Sequence, residues 1–188
     1  WLKSNSPNVT CDEVNLSNVF DEFIDITTDT SNELTNLALA NTRARLRMLT
    51  LYYYSTINRY LVAGTGNKVE DFGIGFYTKY GDGGVDISPI ADLLKSQVFE
   101  LGNHLNLPKE ILSAIPTDGL WEDGRNDEDQ IGASYDEIEW AMNRDSDDIN
   151  LETNNREKEV MSIFKSLNTK NMHKMIPIPV CKIPKDFL

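Results

Sequence analysis

Apolar positions along this chain follow a helical repeat more often than an alternating one. Val19, Phe20, Phe23 and Ile24 fall on one helical face, with Ser17 as the cap. Thr30-Ser-Asn-Glu33 has the spacing of a capping box and predicts a long helix to about Asn58. Within it Leu46, Met48, Leu49, Leu51 and Tyr52–Tyr54 leave almost no polar side, which predicts either core or a subunit interface. Ser88-Pro89 predicts a helix start, followed at helical spacing by Ile90, Leu93, Leu94, Val98, Leu101 and Leu105. Pro108 predicts a short helix through Ile115, and Ser134-Tyr-Asp-Glu137 a second capping box leading into Ile138 and Met142. Val160, Ile163, Phe164 and Leu167 mark a last helix before a proline-punctuated, extended tail from Met175 to Pro184. Two strands are predicted: Asn8–Leu16, and the apolar Tyr60–Ala63 running into Gly64. Helices alternating with a short apolar strand and a glycine turn suit a parallel sheet covered by helices.

Charge changes this picture by its placement. The 188 residues carry 30 acidic and 18 basic side chains, a formal charge of −12. Residues 118–160 hold 15 of the acidic and only 4 of the basic groups, so the remainder is nearly neutral and can bind an anion locally. The acidic segment reads as a solvated surface. The net charge disfavours nucleic acid and anionic membranes as partners. Cys11 and Cys181 form no disulfide framework or metal spacing, and His104 and His173 are too few for a histidine-rich metal site. No apolar run is long enough to span a bilayer. The expectation is one cytoplasmic domain.

The candidate chemistry concentrates in Gly64–Asp86, GTGNKVEDFGIGFYTKYGDGGVD. Its glycines permit close backbone approach to a ligand, and a loop after a parallel strand is where open α/β sheets bind ligands. Standard phosphate loops do not match. Val69 stands where the third glycine of a dinucleotide fingerprint belongs, and no GxxxxGK[ST] occurs. Lys68 and Lys79 suit phosphates or carboxylates, while Glu70 and Asp82 suit Mg²⁺ or proton transfer.

This stretch closely resembles the ammonia-dependent NAD synthetase family, whose members show GTGNKxE and then FTKYGDGGVDIxPI after a strand. Here the sequence is Gly64-Thr-Gly-Asn-Lys-Val-Glu70 and then Phe76-Tyr-Thr-Lys-Tyr-Gly-Asp-Gly-Gly-Val-Asp-Ile-Ser-Pro-Ile90. Asn41–Met48 with Leu51–Tyr54 resembles the family's interface helix. Gly119–Glu122, Asp127–Gly132 and Tyr135 resemble its lid, and His173-Lys174 its carboxy-terminal substrate contact.

The resemblance implies an α/β fold: a Rossmann-like, adenine nucleotide alpha hydrolase-like parallel sheet flanked by helices. It also implies ATP-dependent amidation of deamido-NAD by ammonia through an adenylated carboxylate, with Mg²⁺ as cofactor. By motif match Thr65, Lys95 and Thr117 contact ATP, and Glu70 binds Mg²⁺. Arg45, Lys79, Asp86, His173 and Lys174 contact deamido-NAD, and Asp82 holds or deprotonates the ammonium. The 33–58 helix implies a homodimer, 118–134 a lid-like segment, and 145–188 a carboxy-terminal helix and tail within the single domain 1–188.

Some of these residues have plainer readings taken alone. Arg45 and Lys95 suit solvated helix faces, Thr117 a turn, and His173-Lys174 a tail. Glu70, Lys79 and Asp86 stand inside the densest motif.

Two departures qualify the resemblance. The lid motif GQTDE is Gly124-Arg-Asn-Asp-Glu128 here. The SGGxDS loop that cradles ATP phosphates in the superfamily is absent, since no Ser-Gly-Gly occurs. The expectation is a chain without the family's first two strand–helix units, and so weak or no turnover by this polypeptide alone. A non-catalytic nucleotide-binding or dimerising protein is the alternative. The GTGNK…TKYGDGGVD combination argues against a GMP synthetase relative.

Overall fold

The computed structural model describes residues 1–27, 32–121, 123–144 and 154–187. Thr30 and Ser31 of the expected capping box, Glu122, and the acidic Asp145–Asp148 run lie outside the described residues. The helices are α1 (Leu2–Asn5), α2 (Ser17–Thr27), α3 (Glu33–Asn58), α4 (Lys95–His104), α5 (Lys109–Leu112), α6 (Asp127–Ile131), α7 (Tyr135–Met142) and α8 (Asn155–Met175). A π-helical turn, Val69–Ile74, lies between α3 and α4, and a 3₁₀ turn, Lys185–Phe187, follows α8. No described helix is long and apolar enough to cross a membrane.

Several boundaries follow the sequence chemistry. Helix α3 starts at Glu33 with Asn32 as its cap, not from the expected Thr30–Glu33 box, and the Asn32 side chain accepts from Thr35 N–H at 3.0 Å. Ser134 and Glu137 form the expected box at α7, with Ser134 N–H to Glu137 Oε2 at 2.9 Å and Glu137 N–H to Ser134 Oγ at 3.2 Å. Asn154 and Glu157 do the same for α8. Arg156 then donates to both Glu137 oxygens at 2.7 Å, tying α8 to α7.

Other expectations are corrected. Ser88-Pro89 opens no helix. Residues 89–93 are turns and α4 begins at Lys95, where Leu94 N–H is satisfied by Gln97 Oε1 at 2.9 Å. The helix after Pro108 stops at Leu112 rather than Ile115. Residues 8–16 are extended coil with no strand pairing. The sheet itself reduces, among the described residues, to one parallel bridge between Ala63 and Ile87. A strand needs a neighbour to become a ladder. Tyr60–Ala63 has that neighbour on one edge only: Asp86 and Ile87 donate N–H to Val62 O at 2.9 and 3.2 Å.

The packed core joins the π-helical turn, α6, α7 and α8. Val69, Ile74, Ile131, Tyr135, Ile138 and Val160 are buried there, with Leu94, Phe164 and Leu167 against them. The polar ends of the π turn are satisfied by side chains. Asn67, itself buried, accepts from Val69 and Glu70 N–H at 3.0 and 3.2 Å. From α8, Asn168 and Asn171 donate to the Gly73 and Ile74 carbonyls at 2.8 Å. Gly75 closes the turn at φ +60°, and a Cβ there would lie 2.5 Å from Asn171 Cβ, so glycine is required twice over.

Candidate active site

The sequence positions with candidate chemistry gather in two neighbouring clusters, one on Glu70 of the π-helical turn and one on the loop that follows it. The first is built on Glu70. The turn places it opposite the first residue of α4 and the first residue of α7. Lys95 Nζ donates to Glu70 Oε1 at 2.9 Å, and Tyr135 OH donates to the same oxygen at 2.7 Å. The Glu70–Lys95 pair is largely withdrawn from solvent, with side-chain exposures of 16% and 18%. Lys95 also stands 4.6 Å from the Tyr135 ring centroid. Its helix is capped from α7: buried Glu139 accepts from Ser96 N–H at 2.9 Å and Ser96 Oγ at 2.7 Å. Tyr135 and Glu139, four residues apart, thus present one face of α7 to this cluster. Asp127 completes it, its Oδ2 3.0 Å from Tyr135 OH.

Burial raises the Asp127 carboxyl, against the lowering by Tyr135 and Lys95. Burial and the adjoining carboxylates raise the Tyr135 phenol. Asp71, next to Glu70, rises to about 6, chiefly through burial and then through Glu70 and Asp82. Its carboxylate lies over Gly66, where a Cβ would fall 2.3 Å from Asp71 Oδ1.

The second cluster joins the loop 77–82 to the end of α8. Lys174 Nζ donates to the Gly75 and Tyr77 carbonyls at 2.8 and 2.7 Å. Lys79 Nζ donates to the His173 carbonyl, and Tyr77 OH to the Lys174 carbonyl. Burial lowers the Lys174 ammonium. Asp82 Oδ1 accepts from Thr78 N–H at 2.9 Å, and the surrounding protein raises its carboxyl although it retains solvent contact. Arg45 reaches this loop from α3, with Nε 3.4 Å and Nη2 3.3 Å from the Lys79 carbonyl. Lysine and arginine have further N–H donors beyond those used here, so the cluster remains able to bind an anion.

Three of the sequence candidates stand apart. Asp86 works on the fold, accepting from Val62 N–H at 2.8 Å and Tyr52 OH at 3.1 Å. Thr65 is exposed, with no side-chain hydrogen bond among the described residues. Thr117 is exposed in the lid-like segment, donating to the Arg125 carbonyl at 3.3 Å. That segment is docked on α3 by Arg43 to the Leu120 carbonyl at 2.7 Å and Arg47 to the Gly119 carbonyl at 3.3 Å. Both replacements in its motif are used. Arg125 pairs with Asp123 and lies 4.4 Å from the Trp121 ring centroid, while Asn126 caps α6 with a 2.8 Å bond from Asp129 N–H.

Sequence reasoning missed Asp71, Asp127, Tyr77 and Glu139 as members of these clusters. Asp71 and Tyr77 lie within the glycine-rich stretch, and Glu139 follows Tyr135 by one helical turn, which are the signals that could have found them.

A family model described as NAD synthase matches residues 6–177. The chain belongs to this family. It is 43% identical over 145 residues to the NH(3)-dependent NAD(+) synthetase of Carboxydothermus hydrogenoformans, covering 77% of this chain and 55% of that protein. With the corresponding enzyme of Sulfurisphaera tokodaii it shares 36% identity over 176 residues, covering 90% and 61%. Among solved structures, the NMN synthetase from Francisella tularensis superposes with a TM-score of 0.73 at 31% identity, covering 92% of this chain and 65% of that one. The NH3-dependent NAD synthetase from Campylobacter jejuni gives 0.67 at 27% identity, covering 90% and 64%. The chain thus spans 55% and 61% of the length of these two relatives, and as little as 38% of others it matches.

Proposed function

We propose that the chain carries the nucleotide and substrate contacts of an ammonia-dependent NAD synthetase. In this reading a carboxylate oxygen of deamido-NAD attacks the α-phosphorus of ATP and pyrophosphate leaves. Ammonia then attacks the acyl carbon, AMP leaves, and a proton is lost to give the amide of NAD. The observation that carries the reading is the pair of neighbouring clusters built on one glycine-rich stretch. One holds a paired lysine and carboxylate, the other two lysines with an arginine. Two polyanions brought side by side require cations on both flanks.

Lys95, Thr65 and Thr117 are proposed to hold ATP, and Arg45, Lys79, His173 and Lys174 to hold deamido-NAD. Asp86 would take a substrate hydroxyl in competition with Tyr52 at its Oδ1. Asp82 has an Oδ2 that accepts no hydrogen bond among the described residues, and is proposed to hold the ammonium. Oxygen donors are the chemistry Mg²⁺ takes, and Glu70 Oε2 likewise accepts no hydrogen bond among the described residues. No described group of three or more His, Cys, Asp or Glu side chains could hold a metal alone. The residues therefore fit Mg²⁺ in the form in which substrate phosphates supply the remaining ligands. Bound there by Glu70, it would screen phosphate charge.

The polypeptide contains no Ser-Gly-Gly, and we propose that by itself it binds nucleotide but turns over slowly. Incubation of the 188-residue polypeptide with deamido-NAD, Mg²⁺, ATP and ammonium, with NAD and AMP quantified, tests this. Robust turnover would overturn the slow-turnover reading, and failure to bind either MgATP or deamido-NAD would overturn the functional one. The Francisella tularensis structure favours one variant, amidation of the mononucleotide instead. Nicotinate mononucleotide in the same assay separates the two acceptors.

A further inference from the structure

Glu70 Oε1 receives two donors from two different helices, Lys95 Nζ and Tyr135 OH. A carboxylate is planar, so pinning Oε1 relative to its chain also fixes where Oε2 stands, and Oε2 accepts no hydrogen bond among the described residues. The Tyr135 ring is only 5% exposed and is part of the packed core. Phenylalanine would fill that core equally well, and the hydroxyl is what differs. Both partners of that hydroxyl are carboxylates: Glu70 on the turn and Asp127 on α6. Asp127 is itself only 7% exposed, and its Oδ1 is buried with no hydrogen-bond partner among the described residues. An orphaned buried oxygen is costly to keep, and what Asp127 contributes from its side chain is the contact to Tyr135.

We propose that Tyr135 is a positioning residue for Glu70. Its hydroxyl gives its one hydrogen to Oε1 beside Lys95, with Asp127 the competing acceptor on the lid side, and leaves Oε2 to meet a nucleotide-bound cation. The inference rests on the reading of Glu70 and Lys95 as the cation and ATP contacts. Residues that orient a metal ligand typically change metal affinity by about 10- to 100-fold when removed.

Calorimetric titration of the 188-residue chain with ATP, once in excess Mg²⁺ and once in EDTA, tests it. Tyr135→Phe is expected to weaken ATP binding about tenfold in Mg²⁺ and to leave the EDTA affinity within about twofold. Glu70→Gln is expected to do the same, and the double variant to lose no more than Glu70→Gln alone. Asp127→Ala removes the competing acceptor, frees the hydroxyl hydrogen for Glu70 and is expected to keep the Mg²⁺-dependent affinity or tighten it by up to about threefold, a Mg²⁺-specific loss overturning the positioning role. It decides the matter if Tyr135→Phe does not fold by thermal melt. If Glu70→Gln loses the Mg²⁺-dependent affinity while Tyr135→Phe keeps it, the positioning role is overturned and the functional reading stands. An equal loss in EDTA for Tyr135→Phe would also overturn it, as a packing or Lys95 effect. If Glu70→Gln keeps wild-type Mg²⁺ dependence, both fall.

Discussion

The two halves of the molecule treat their apolar residues in opposite ways. Around the π-helical turn, α6, α7 and α8, a set of large apolar side chains is fully buried, Val69, Ile74, Ile138 and Val160 at 0–1% exposed, with Phe72 and Met172 left at the surface. Along α3 and Tyr60–Ala63 most are not, Val62 being the buried exception. Leu49, Leu51, Tyr53, Ile57, Tyr60 and Leu61 are 56–69% exposed, and the buried residues of α3 are the small Ala40, Ala44 and Ser55. A cleft of about 650 Å³ runs between α3, Tyr60–Ala63 and the 10–16 segment, lined by Val14, Leu51, Tyr54 and Leu61 among others. Beside it the backbone groups of Leu61 and Ala63 make no hydrogen bond among the described residues. The difference teaches where precision is possible. Apart from Arg45, which comes from α3, both charged clusters hang on the packed half, where neighbours lock rotamers, whereas an apolar face of this kind is what buries surface against another polypeptide. We propose that the α3 face is the subunit contact of a homodimer.

Substitutions can break this contrast. The largest effect is expected in the packed half: Ile138→Ala should cost about 3 kcal/mol in denaturant unfolding, as a fully buried aliphatic side chain leaves a cavity. A smaller effect is expected from pH. Asp71 is raised to about 6 in the folded protein, so the native state binds its proton more tightly than the unfolded chain does. Its contribution therefore lowers stability as pH rises from about 4 to about 6, and the penalty is complete above that. Asp71→Asn should remove this share of the pH dependence and raise the urea midpoint at pH 7; an unchanged pH profile would refute the assignment. The smallest effect on folding is expected from Leu51→Ser on the exposed face, within about 0.5 kcal/mol. That same variant should shift the assembly toward monomer by light scattering, and an unaltered dimer would place the interface elsewhere.

Much of the local order was legible in the residues. Helix α3 ends at Asn58 as its pattern indicates, and the Ser134–Glu137 box opens α7, because caps are read within one turn of chain. Glu70 and Lys79 stood out in the sequence as candidate chemistry, since the motif concentrates charged groups among glycines, whereas Lys174 was pointed to only by the family resemblance. What failed was set at long range. Ser88-Pro89 carries a local start signal. The residues that follow are used instead for the turn that delivers Lys68 N–H to the Leu93 carbonyl at 2.8 Å. The π turn has no periodicity of its own and is held by Asn67 and by two asparagines about 95 residues away on α8.

The chain's own order of residues determined its family, its helices and the two sets of charged groups, because propensity, capping and motif spacing are local properties. Only the tertiary structure decided which charges meet. It put Tyr135 and Lys95 on one oxygen of Glu70, turned Asp86 toward a backbone N–H, and left one edge of Tyr60–Ala63 unpaired among the described residues. Those outcomes depend on packing between elements far apart in the chain, where distance and burial set the strength of every contact.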